Sequence, residues 1–195
     1  MPLRQPQPPE AVRRALQADV ADYMESKDPM AKTLAQAPMA LRVFTLRLDK
    51  IGESFKESPQ PAGWRFMALA ASGSPIAGEV AVLGDGLPRM VSLSRDEVIT
   101  EMVMGARNIQ MLPQVQARDY ELRLLRIPGV RTEVFWLKPL VGEDHLIIPA
   151  LTQSKRLLKK DPLPIAEFLS VLQDLASEFT GKSNAPPAEP PAANP

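Results

Sequence analysis

The sequence predicts an α+β fold: antiparallel sheet in a helix–βββ–helix–βββ–helix order, within a single domain. Three observations carry this. Apolar residues recur at helical spacing in three well-separated segments, and strand-like runs fall in two groups of three between them. The links inside each group are rich in turn residues, which suits antiparallel pairing and not the long crossovers of a parallel sheet. Finally, 195 residues at 45% hydrophobic and 24% charged can bury one core of ordinary size. Whether the six strands make one twisted sheet or two three-stranded sheets is open at this level.

Proline placement marks the domain limits. Pro2, Pro6, Pro8 and Pro9, with Pro186, Pro187, Pro190, Pro191 and Pro195, place nine of the 21 prolines within ten residues of the two ends. We therefore expect disordered Pro-rich tails at 1–8 and 182–195, flanking one domain over 9–181. A PxxP ligand is one reading of Pro187–Pro190, but basic flanks are missing and a solubilising tail is the simpler one.

The elements follow in order. A first helix runs from Pro9 to about Ser26, with Val12, Leu16, Val20, Tyr23 and Met24 on one side. Asp28 and Pro29 restart a short helix to about Ala37, and Pro38 ends it. Strands are expected at Leu41 to Leu48, Trp64 to Ala71 and Ile76 to Leu83, with Ser72-Gly73-Ser74-Pro75 as the tight turn. Gly84-Asp85-Gly86-Leu87-Pro88 breaks the pattern. Ser94 and Glu97 form a capping box for a helix whose stripe is Ile99, Met102, Val103, Ala106 and Ile109, and Pro113 stops it. Strands at Tyr120 to Ile127, Arg131 to Lys138 and His145 to Leu151 follow. Pro128-Gly129 suits a type II turn and Val141-Gly142-Glu143-Asp144 another turn. The last helix starts at Asp161, with Pro162 at its first position, and ends near Gly181.

The chemistry is narrowed by what the chain lacks. It has no cysteine and one histidine, so disulfides, thiolate chemistry and two-histidine metal sites within one chain are excluded. Lys plus Arg and Asp plus Glu are equal at 23, which removes the positive field of a nucleic-acid binder. No apolar run approaches the ~20 residues that span a bilayer, and Met1 to Glu10 has no apolar signal core. We expect a cytoplasmic protein with no cofactor, no metal, no nucleic-acid partner and no membrane.

His145 follows Glu143 and Asp144, but neighbours on a strand point to opposite faces, so no orienting pair forms there. Ser72 and Ser74 lack a strand-to-helix nucleophile turn, and Gly84-Asp85-Gly86 lacks the remaining residues of a phosphate loop. Glu53 with Glu57 and Asp96 with Glu97 sit where loops and first helical turns normally carry acid. Lys155, Arg156, Lys159 and Lys160 form a basic cluster without interleaved aromatics, readable as a solvated connector or as a contact for an acidic partner.

Met102, Met104 and Met111 make the central helix apolar on more than one side. Val134, Trp136 and Lys138 lie opposite Glu133, Phe135 and Leu137, so that strand is covered on both faces, by helices or by a partner. The expected function is a non-catalytic protein-interaction or assembly module, chaperone- or scaffold-like, binding a protein partner or a second copy. Trp136, Met102, Met104, Lys155, Arg156, Lys159 and Lys160 are its candidate binding residues. In topology alone the element order resembles small dimeric secretion chaperones, without their motifs or their acidity. Two alternatives stand beside it. One is a ligand-sensing domain with a cavity lined by Phe44, Leu46, Trp136 and Met102. The other is a small hydrolase-like enzyme using His145 with Arg131 or Glu133.

Overall fold

The computed structural model describes residues 3–24, 34, 39–51, 54–55, 57–70, 72–82, 86–157 and 161–183. Helix α1 is Glu10–Met24, α2 is Val98–Ile109, α3 is the four-residue Pro113–Gln116, and α4 is Ile165–Ser183. The strands are β1 (Leu3–Arg4), β2 (Met39–Thr45), β3 (Gln60–Leu69), β4 (Pro75–Val82), β5 (Pro88–Ser94), β6 (Tyr120–Ile127), β7 (Thr132–Pro139), β8 (Leu146–Leu151) and β9 (Leu163–Pro164).

All nine strands form one sheet in the order β5-β4-β3-β2-β6-β7-β8-β9, with β1 paired to β6. Each half is an antiparallel meander, as expected. The halves meet where β2 and β6 run parallel, and β1 is parallel to β6 as well, so the sheet is mixed and not wholly antiparallel. The domain is α+β, with helices on both faces.

Side-chain alternation along each strand sends residues to two cores. On one face Leu41, Val43, Met67, Leu122, Leu124, Phe135 and Leu137 pack against the α2 stripe of Ile99, Met102, Val103, Ala106 and Ile109. On the other face α4 covers Phe44, Leu125, Val134, Trp136 and Ile147 through Phe168, Leu172 and Leu175. There α1 covers Trp64, Phe66, Ile76 and Val80 through Val12, Leu16 and Val20. The helix that follows each meander thus lies on the opposite side from the other. The apolar residues on both faces of β7 are covered within the chain.

Several local expectations give way. Residues 3–4 are not part of a tail: Leu3 is buried and pairs with Tyr120. At the other end α4 extends to Ser183, and 184–195 lie outside the described residues. So does the expected short helix at 28–37, apart from the buried Leu34. Strand β5 was not legible, because a bulge against Glu79 and Val80 makes Val91 an extra residue. Its inward side chains, Met90 and Leu93, are therefore three apart, and the period of two is lost.

Ser94 ends β5 and does not cap α2. Asp96 does so, with Oδ1 accepting the Val98 N–H at 3.1 Å. Pro113 opens α3 and does not stop α2. Asp161 and Pro162 precede β9, and α4 begins only at Ile165. The turn after β6 is a 3-10 turn at Pro128–Val130, with the left-handed residue at Arg131 (φ 47°) and not at Gly129. Gly129 serves close packing instead, since a Cβ there would lie 2.5 Å from Leu48 Cδ1.

Candidate binding surfaces

His145 sits just before β8 and is buried at 7% exposure. Its Nδ1 accepts the Trp136 indole N–H at 3.0 Å, which leaves that nitrogen as the acceptor of the ring. Phe55 packs edge-on against both rings, with centroids 5.2 Å from Trp136 and 5.6 Å from His145. Asp144 turns away to pair with Arg118. Glu133 lies on the other face of β7 from Trp136, so the structure does not bring His145 and Glu133 together. Arg131 is exposed in its turn.

Glu133 belongs to a part-buried ionic tetrad on the α2 face. Arg65 of β3, Glu79 of β4, Arg126 of β6 and Glu133 of β7 have side chains only 11–28% exposed. Arg126 grips Glu79 with both terminal nitrogens, at 2.9 and 2.7 Å, and gives its Nε–H to Glu133 at 2.9 Å. Arg65 donates to Glu79 at 3.1 Å and reaches both carboxylate oxygens of Glu133. Every carboxylate takes both arginines, and the four charges cancel. Burial pushes the Glu79 carboxyl up, but the Arg126 hydrogen bonds and the fields of Arg126 and Arg65 outweigh it and hold Glu79 below 4.5. Hydrogen bonding to Glu79 raises Arg126 further above its ordinary value. A cavity of about 150 Å³ adjoins the tetrad, lined also by Ser92, Ser94 and Asp96. Mutual saturation makes this cluster a structural clamp across the sheet, which nothing in the strand patterns announces.

The candidate binding residues separate in space. Met102 is 2% exposed in the core beneath α2, and Trp136 is 3% exposed in the core beneath α4. Phe44 and Leu46 join Trp136, so the cavity expected between these residues and Met102 is split by the sheet and filled. Lys155 and Arg156 are exposed, and Arg156 bridges to Glu178 at 2.7 Å and Asp174 at 3.7 Å on α4. Lys159 and Lys160 lie outside the described residues.

Met104 borders a groove. It is 44% exposed at the rim of a groove of about 560 Å³ between α2 and β8. Glu101, Met104, Gly105 and Asn108 form one wall, Ile148, Pro149 and Ala150 the other, and Phe135 lies in the floor. Gly105 lets the helix approach: a Cβ there would be 3.3 Å from the Phe135 ring. Beyond Ile147, β8 has no second strand neighbour among the described residues, since β9 pairs only with Leu146 and Ile147. The sequence signal for this groove was the methionine off the main stripe of α2.

Among the described residues no cluster of three His, Asp or Glu side chains is placed to hold a metal ion. No helix among them is long and apolar enough to cross a membrane. No family model matches the chain, and no match is found among curated proteins or solved structures.

Proposed function

We propose that the protein is a non-catalytic interaction module that takes an extended segment of a protein partner into the groove between α2 and β8. The observation that carries this reading is the pairing of an apolar groove with an open strand edge. An added strand gains main-chain hydrogen bonds from the edge, and its alternate side chains enter the groove. Met104 suits the rim because an unbranched thioether adapts to different side chains. Pro149, which has no N–H to offer, interrupts the edge and limits unspecific strand addition.

A displayed peptide library selected on the whole protein tests the reading. Apolar, extended peptides should be enriched. Their affinity should fall about tenfold or more, ~1.4 kcal/mol, in Met104→Glu and Ala150→Arg. A library that returns no binder, or binders indifferent to both substitutions, removes the groove as the site. So does a groove occupied by a second copy, seen as a dimer that Met104→Glu dissociates.

A further inference from the structure

On the α4 face of the sheet, a cleft of about 620 Å³ opens between α4 and the turn after β6. The turn residues 128–131 form one side, Gln153 and Ser154 a second, and Leu175 and Glu178 of α4 a third. A directed chain of hydrogen bonds fixes the first two sides against each other. The Ser154 N–H donates to Thr152 Oγ1 at 3.1 Å, the Thr152 and Thr132 hydroxyls pair at 2.9 Å, and Thr132 donates to the Val130 carbonyl at 3.1 Å. Arg156 ties α4 to the same segment through Asp174 and Glu178. Val130 and Leu175 belong to the core beneath α4 and give the cleft an apolar base.

Of the two charged residues that line the cleft, one is answered and the other is not. Glu178 accepts from Arg156 at 2.7 Å, whereas the Arg131 side chain makes no hydrogen bond or ion pair among the described residues. Arg131 is also their one non-glycine residue with a positive φ, at 47°. A Cβ in that left-handed region crowds the following carbonyl oxygen, so glycine or asparagine is the ordinary choice. An arginine there strains the turn and gains no polar partner within the described chain. Strained backbone of this kind collects at ligand sites.

We infer that this cleft binds a small carboxylic acid with an apolar body, its carboxylate held by Arg131. One guanidinium fork matches one carboxylate in shape and in charge, through two parallel N–H···O bonds. A phosphate dianion fits less well: Asp174 and Glu178 share the single Arg156, so a second negative charge would meet an uncancelled one from α4. The apolar body lies over Val130 and Leu175. The cleft is in the size range of small-ligand sites, roughly 300–1,000 Å³.

The test is titration of the full chain with octanoate, read by magnetic resonance at the Val130 and Leu175 methyls and the Arg131 Nε–H. Octanoate should give saturable shifts at all three. Acetate, 1-octanol and octyl phosphate, which lack the body, the charge and the single charge in turn, should each bind about tenfold or more weakly. Arg131→Gly should weaken octanoate about tenfold or more and melt no lower than the parent, because glycine relaxes the left-handed residue. Arg131→Asn, which tolerates the same backbone, should behave alike. Glu178→Gln should bind octanoate more tightly. No saturable response, an equal response to any of the three other probes, or unchanged affinity in both Arg131 variants overturns the assignment. So does an Arg131→Gly protein that melts well below the parent, which would give the arginine a structural duty in the turn. Peptide capture by the groove on the α2 face is unaffected by any of these outcomes.

Discussion

At Gly63 the backbone leaves room for a hydrogen and nothing larger. Its φ of +149° is one that other residues rarely adopt, and a Cβ there would meet the Val80 carbonyl oxygen at 2.3 Å. Backbone blocks that contact, so no side-chain rotation relieves it. Gly63→Ala should cost about 2–4 kcal/mol in urea unfolding. Gly73 is the control: its φ is +83° but nothing lies within 4 Å, so Gly73→Ala should cost only about 1 kcal/mol. Equal losses at the two positions would remove the close approach of β3 and β4 as the cause. His145 carries a related point. A single imidazole suggests chemistry, but its Nδ1 is occupied by the Trp136 N–H and its ring is packed by Phe55.

Among the elements, α2 keeps its expected apolar stripe but takes its cap from a different residue. Its apolar stripe matches the buried residues Ile99, Met102, Val103, Ala106 and Ile109. The spacing of Ser94 and Glu97 imitates a capping box, yet β4 recruits Ser94 as the end of β5, where it pairs with Ala77. The capping oxygen then comes from Asp96. Asp96→Ala should lower stability by about 1 kcal/mol, and Glu97→Ala should change it by less than about 0.5 kcal/mol. Thermal or urea unfolding of the two variants decides this, and the reverse order would restore the capping box. The turn after β6 has the same lesson: Pro128-Gly129 carries type II chemistry, but packing against Leu48 uses the glycine for closeness and moves the left-handed residue to Arg131.

For the whole molecule the tetrad matters most, because it ties β3 and β4 of one meander to β6 and β7 of the other. Removing one member leaves its partners part-buried with uncancelled charge. Glu79→Gln should therefore cost about 3–5 kcal/mol at neutral pH. The pH dependence has a definite sign. Glu79 titrates below 4.5 when folded, so its contribution is complete above the unfolded value and is lost as pH falls through the folded one. Urea unfolding from pH 7 downward should show stability falling in the acid range below about 4.5, and Glu79→Gln should flatten that limb. An acid limb as steep in the variant as in the parent would rule out Glu79 as its source. The exposed Arg118–Asp144 pair should contribute little to stability, because solvent screens it.

Much of the element pattern was legible because periodicity and turn chemistry act within a few residues. β6 falls at Tyr120–Ile127 as expected, the α2 stripe packs into one core, and Val12, Leu16 and Val20 of the expected α1 stripe pack into another. Of the binding surfaces, only Met104 was legible, as a methionine out of place on its helix. Arg42 and Arg123 come into register only because β2 and β6 run parallel. The sequence by itself determined an α+β domain, two strand groups, the buried helix faces and the absence of cysteine chemistry. Tertiary structure alone decided that the strands join into one mixed sheet, that β7 is covered on both faces by the chain itself, and which charges meet. The reason is distance along the chain: the tetrad's contacts join residues 47 and 68 positions apart, and no local pattern encodes which strand becomes another's neighbour.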